Sequence, residues 1–160
     1  FFPADPATRD PLWSRGLGDV YKRQGSYGGF FTLMSLFRHP GKYAAGVSIY
    51  PVTDWAHYNQ GYTSRILNGS PTNDPEAYRR SSPVYYAEGL RDALQIQHGL
   101  VDGNVQIQDS FRLTQILMEK KKKFDLVVYP MEDHGWDEIP SRRDSYERMM
   151  DWFNRYLLKE

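Results

Sequence analysis

With 160 residues, 40% of them hydrophobic and 15% aromatic, and with 20 basic side chains balanced by 20 acidic ones, the chain has room for one packed core and no field of a single sign. That neutrality argues against nucleic acid or an anionic membrane surface as a partner, and no apolar run is long enough to span a bilayer. Cysteine is absent, which excludes disulfides and thiolate metal sites and leaves the compartment undetermined, a periplasmic or secreted parent included.

The first two dozen residues read differently from the rest. Phe1 to Trp13 carries Pro3, Pro6 and Pro11 without helical or strand period, the pattern of loop or disorder. Ser14 to Gln24, SRGLGDVYKRQ, looks like the in-frame translation of a transposon-end sequencing adapter. Residues 1–24 are therefore set aside as a non-native or disordered segment, and residues 25–160 are read as the domain.

Gly25-Ser26-Tyr27-Gly28-Gly29, followed by the apolar Phe30 and Phe31, has the form of a serine presented on a sharp strand-to-helix turn. In that reading Gly28 lets strand and helix backbones approach, and the helix N-terminus aims free N–H groups at a developing oxyanion. A glycine-rich turn into an ordinary helix is the competing reading. Asp19 to Gln24 stands where a buried strand is needed, with Lys22 and Arg23 adjacent and Gln24 pressing on the turn, a strain of about 1–3 kcal/mol.

Phe30 to Phe37 is a short buried helix with Leu33, Met34 and Phe37 at helical spacing, stopped by His39-Pro40-Gly41. Tyr43 to Val52 predicts a buried strand, and Pro51 to Trp55 a loop at its C-terminal edge, where open α/β sheets bind ligands. Trp55, Tyr58 and Tyr62 follow in a polar stretch read as a loop, either lining an apolar specificity pocket or packing under a lid. Asp74-Pro75-Glu76 opens a helix that Ser81-Ser82-Pro83 interrupts, and Val84 to Gly89 is a short turn. Ala93 to Gln97 alternates as a strand and leaves through His98 to Val105 into a helix with Ile107, Phe111, Leu113, Ile116 and Leu117 inward. Lys120 to Lys123 is a solvated helix end. Phe124 to Pro130 is the clearest strand; the last helix starts with Ser141 and Asp144 at capping-box spacing and carries a stripe of Tyr146, Met149, Met150, Phe153 and Leu157. Alternation of strand and helix predicts a mostly parallel sheet with helices on both faces.

A serine hydroxyl becomes nucleophilic when a base takes its proton, and the base needs a group that fixes its tautomer. Three loops that each follow a presumed strand supply the types in the order Ser26, Asp102, His134, the order of α/β hydrolases. Each has a bland alternative: His134 as a surface histidine among acids, Asp102 or Asn104 as the cap of the next helix. His98 competes as the base but reads as a hydrogen-bonded structural residue, Asp54 competes with Asp102 because it too follows a strand, and His39 and His57 lack strand-end context.

From Gly25 onward the strings GSYGGF, PVTDW, YTSRILNGSP, YRRSSPVYYAEGL, HGLVDGNV and YPMEDHGW together resemble the catalytic domain of the prolyl oligopeptidase family of serine peptidases, within it the dipeptidyl peptidase IV-like branch. The resemblance implies a truncated α/β-hydrolase fold over residues 25–160. It implies Ser26 as nucleophile, Asp102 as orienting acid, His134 as general base and the Tyr27 N–H as an oxyanion donor. Trp55, Tyr58 and Tyr62 would wall the pocket for the residue before the scissile bond, with Val52 and Val105 beside them, and Asn104 would hold the substrate carbonyl. A peptide cut after proline or alanine is the expected substrate, through an acyl-enzyme and without metal or organic cofactor; a homo-oligomeric parent stays open. Gly103 departs from the acid often found there, without expected harm.

The resemblance also implies an N-terminal β-propeller, earlier sheet strands and an upstream tyrosine in the oxyanion hole, none of which is in this sequence. Losing one oxyanion donor lowers kcat ~100- to 1000-fold, so the chain by itself is expected to have little or no peptidase activity. A carboxylesterase with the same fold and a noncatalytic hydrolase-fold scaffold are the alternatives.

Overall fold

The computed structural model describes residues 23–158. The expectations for residues 1–22, and for the Gln24 side chain, lie outside the described residues. Four strands, β1 (Arg23–Gly25), β2 (Ala45–Ile49), β3 (Ala93–Gly99) and β4 (Asp125–Tyr129), form one sheet in the order β1-β2-β3-β4, and every pairing is parallel. Parallel neighbours require crossovers. Helix α1 (Tyr27–Arg38) supplies the first and α4 (Ile107–Glu119) the last. Between β2 and β3 run α2 (Gln60–Leu67), α3 (Pro75–Ser81) and a 3₁₀ segment, Pro83–Gly89; α5 (Ile139–Leu157) follows β4.

Strand alternation distributes the core between two faces. Leu94 and Ile96 of β3 meet Leu33, Leu36 and Phe37 of α1, Leu113 and Leu117 of α4, and Val84 and Ala87 of the 3₁₀ segment. Ala45, Val47 and Ile49 of β2 face the other way, against Met149 and Trp152 of α5. Helices therefore cover both faces, as the alternating pattern predicts. Gln97, on the α5 side of β3, is fully buried yet satisfied: its amide donates to Gln95 Oε1 at 2.8 Å and to the Ser145 carbonyl at 3.3 Å, and its carbonyl accepts the Ser145 hydroxyl. Among the described residues no helix is long and apolar enough to cross a membrane.

Two expectations need correcting. Tyr62 lies on a helix, α2, rather than on a loop; only Thr63 of α2 is buried, so no apolar period announces it, and the helix is instead opened by Asn59, whose side chain accepts the Tyr62 N–H. Helix α5 starts at Ile139 with Glu138 as its cap residue, so Ser141 and Asp144 lie inside it. Its buried residues are Ser145, Met149 and Trp152, while Tyr146 and Met150 are exposed, because the polar Gln97 beneath draws Ser145 inward and rotates the helix off the wholly apolar stripe. A Cβ at Gly29 would stand 2.6 Å from the Ile49 carbonyl oxygen, so α1 presses closely on β2 at this position.

Candidate active site

Strand β1 ends at Gly25 and α1 starts at Tyr27, which leaves Ser26 alone to make the turn. Its backbone adopts φ 58° and ψ −116°, a conformation that costs a non-glycine residue about 1–3 kcal/mol. Local bonds hold it there: its N–H donates to the Ile49 carbonyl at 3.0 Å and its carbonyl accepts from Phe30 N at 3.0 Å. Although Ser26 is the N-cap residue, its hydroxyl makes no capping bond. Tyr27, first in the helix, carries one of the N–H groups that have no carbonyl partner within α1.

Asp102 follows β3 and is almost wholly buried. Oδ1 accepts the backbone N–H groups of Asn104 at 2.9 Å and Val105 at 2.8 Å, while Oδ2 lies 2.8 Å from His134 Nδ1 and 3.2 Å from His98 Nε2. Burial pushes this carboxyl upward, but the bonds from His134, His98, Val105 and Asn104 together outweigh it and hold the group well below the usual carboxylate range. Asp102 does not cap α4, whose N-cap residue is Gln106; it closes its own turn with one oxygen and holds His134 with the other.

His134 follows β4 and is partly exposed, its side chain at 20%. Since a carboxylate only accepts, Nδ1 carries the proton that points at Asp102, and Nε2 has no hydrogen-bond partner among the described residues. The Tyr50 ring stands 4.6 Å from the imidazole, centroid to centroid, and a Cβ on Gly25, next to Ser26, would overlap the same tyrosine. The structure thus pairs Asp102 with His134 directly. Among the described residues no hydrogen bond joins the Ser26 hydroxyl to the imidazole.

The competing acid and bases are engaged elsewhere. Asp54 accepts the Ala56 N–H at 3.0 Å and the Ser82 hydroxyl at 3.3 Å. His57 lies 2.9 Å from Asp109, and His39 ends α1. His98 is fully buried between Ser110 and Val105.

The pocket residues do come together. Trp55 stacks on Tyr62 at 6.3 Å and meets Tyr58 edge-on at 5.7 Å; Tyr27 stands 5.9 Å from Trp55 on the side of the serine. Val52, Trp55, Tyr78 and Val105 form one buried cluster with Phe30 and Tyr58 against it. The Tyr58 hydroxyl donates to Asn104 Oδ1 at 3.0 Å, which leaves the amide nitrogen of Asn104 as a donor without a partner among the described residues. Two residues beside the imidazole are not legible in the sequence: Tyr50, and Asp133, whose Oδ1 accepts the N–H groups of His134 at 2.7 Å and Gly103 at 2.9 Å. Asp133 is visible there only as a charged neighbour of His134, and Tyr50 carries no signal.

The sequence profile of the prolyl oligopeptidase family matches residues 23–160. The chain belongs to the prolyl oligopeptidase family. Among its relatives, a probable dipeptidyl-aminopeptidase B of Coccidioides posadasii is 38% identical over 131 residues, 79% of this chain and 14% of that protein. The dipeptidyl-aminopeptidase B of Aspergillus niger is 34% identical over the same shares. Of solved structures, Porphyromonas gingivalis dipeptidyl peptidase 4 superposes with a TM-score of 0.77 at 33% identity, covering 81% of this chain and 19% of that one. An acylaminoacyl peptidase solved with Z-Gly-Gly-Phe-chloromethyl ketone superposes with a TM-score of 0.75 at 25% identity, covering 87% and 24%. The fold is that of these α/β-hydrolase peptidases, and the chain spans about a seventh of the length of the curated relatives it matches.

Proposed function

We propose that this prolyl oligopeptidase family chain carries the nucleophile, base and acid of a serine peptidase. The observation that carries the reading is the 2.8 Å contact of Asp102 Oδ2 with His134 Nδ1, on the same edge of the sheet as a serine held at φ 58°. Ser26 Oγ attacks the scissile carbonyl carbon as His134 Nε2 takes its proton, and Asp102 balances the resulting imidazolium. The Tyr27 N–H, at the positive end of α1, faces the oxyanion. Collapse breaks the C–N bond, His134 returns the proton to the leaving amine, and water, deprotonated by the same imidazole, hydrolyses the acyl-serine.

The substrate is a peptide whose residue before the cut is proline or alanine. Trp55, Tyr58 and Tyr62, backed by Val52 and Val105, suit a compact apolar ring, and the free Asn104 amide donates to a substrate carbonyl. Residues 25–160 act as part of a catalytic domain whose remaining strands and second oxyanion donor lie outside this sequence. The chain alone therefore has ~100- to 1000-fold less kcat than the domain that contains them.

The test is labelling with a fluorophosphonate probe, followed by peptide mapping, of this chain and of a longer protein that includes it. Labelling at Ser26, abolished by His134→Ala, with release of a chromophore from a Pro-linked but not a Phe-linked dipeptide by the longer protein, supports the assignment. Labelling at another serine, or at Ser26 irrespective of His134, overturns it.

A further inference from the structure

The carboxylate of Asp102 serves two imidazoles, and only one of them belongs to the proposed triad. His98, on β3, is fully buried, and among the described residues the three polar contacts of its ring go to the segment that carries Asp102 and to α4. Its Nε2 lies 2.8 Å from the Val105 carbonyl and 3.2 Å from Asp102 Oδ2, and its Nδ1 lies 2.8 Å from Ser110 Oγ. A carbonyl and a carboxylate are both acceptors, so a proton on Nε2 is the arrangement that satisfies them, with the Ser110 hydroxyl donating to Nδ1.

We propose that His98 is a positioning residue that acts through Asp102: its Nε2–H, shared between the Val105 carbonyl and Asp102 Oδ2, anchors the turn that carries the acid and takes up part of the charge the acid presents to His134. The proposal rests on reading Asp102 and His134 as acid and base. Asp102 Oδ1 is already saturated by two backbone N–H groups, so Oδ2 is the atom through which the two rings feel each other. Withdrawing the His98 proton leaves His134 facing a more basic carboxylate, which stabilises its protonated form. The other groups around His134 are Asp133 and Asp137 of its own loop and the Tyr50 ring. Among the described residues, Asp102 is the one group facing His134 that also contacts His98.

The experiment is a pH titration of the ring nitrogens of the ¹⁵N-labelled full chain, read by long-range ¹⁵N–¹H correlation. In the unsubstituted chain His98 bears its proton on Nε2; a ring protonated on Nδ1 alone overturns the proposal. Two variants separate the charge effect from packing. His98→Asn keeps an amide near Ser110 but stops short of Asp102, whereas His98→Gln carries an N–H to the former Nε2 position. The His134 midpoint rises by about half a pH unit in His98→Asn and stays within about 0.2 of the parent value in His98→Gln. A midpoint unmoved or lowered in His98→Asn, or moved alike in both, overturns the proposal, and if neither variant folds the tautomer of the unsubstituted chain decides it. Fluorophosphonate labelling of a longer protein that includes this chain reads the nucleophile separately: no label on Ser26 there, with the tautomer and midpoints as expected, defeats the serine assignment and leaves the coupling of the two histidines standing.

Discussion

Asp133 Oδ1 accepts the Gly103 N–H at 2.9 Å, which ties the loop after β4 to the loop after β3 across thirty residues of sequence. The same oxygen accepts the His134 N–H at 2.7 Å. One exposed carboxylate thereby sets the spacing of the two loops that bring Asp102 and His134 together. Replacing Asp133 by alanine removes both bonds, whereas asparagine keeps an acceptor. We expect Asp133→Ala to lower the urea-unfolding free energy by about 0.5–1 kcal/mol, the low end for a charged bond because water screens it, and Asp133→Asn by less than half of that. Equal losses would show that the bonds are not what the side chain contributes.

The strain at Ser26 is directly measurable. Glycine reaches φ 58° and ψ −116° without the penalty that a Cβ brings, and alanine does not. Ser26→Gly should therefore be more stable than Ser26→Ala by about 1–2 kcal/mol in denaturant unfolding, while both abolish fluorophosphonate labelling. Equal stability of the two variants would mean that the turn relaxes in solution.

Position 29 gives a steric test of the same turn. A Cβ there meets the Ile49 carbonyl oxygen at 2.6 Å, and backbone on both sides has nowhere to go. Gly29→Ala should destabilise by about 1–3 kcal/mol, as overpacked sites do. Gly103→Ala is the control, since its nearest neighbour would be Asp133 Oδ1 at 3.9 Å, an ordinary contact. A urea midpoint for Gly29→Ala as high as that of Gly103→Ala would contradict the close approach of α1 to β2.

The acid pair sets a pH dependence whose sign follows from Asp102. Its folded-state carboxyl is held below the ordinary value of 3.8, through hydrogen bonds that outweigh burial. A depressed acid contributes stability in full above its unfolded value and loses it progressively as pH falls below that value toward the folded one. The stability gap between the parent chain and Asp102→Asn should narrow steadily as the pH falls below about 4. A gap that widens as the pH falls through that acid range would reverse the sign.

Much of this molecule can be read from local chemistry. The apolar run Phe30 to Phe37, the alternating residues of β3 and the cap-and-proline start of α3 at Asp74 each carry their own signal, because helix and strand periods are short-range properties. Helix α2 is illegible for the opposite reason: its stability rests on Asn59 and on the ring cluster around Trp55, and it buries almost no apolar stripe of its own. The residue types of the site are equally legible, since a serine, an aspartate and a histidine rarely fall by chance after three separate strands in hydrolase order.

Sequence alone determined the family, the parallel alternation and the three candidate side chains, because these depend on residue type and on spacing along the chain. Only the tertiary structure decided which acid meets the imidazole, that His98 shares its oxygen, and that Tyr50 and Asp133 flank it. The contacts of His134 with Asp102 and Tyr50 join residues tens of positions apart, and they arise from the register of strands whose ends converge at one edge of the sheet.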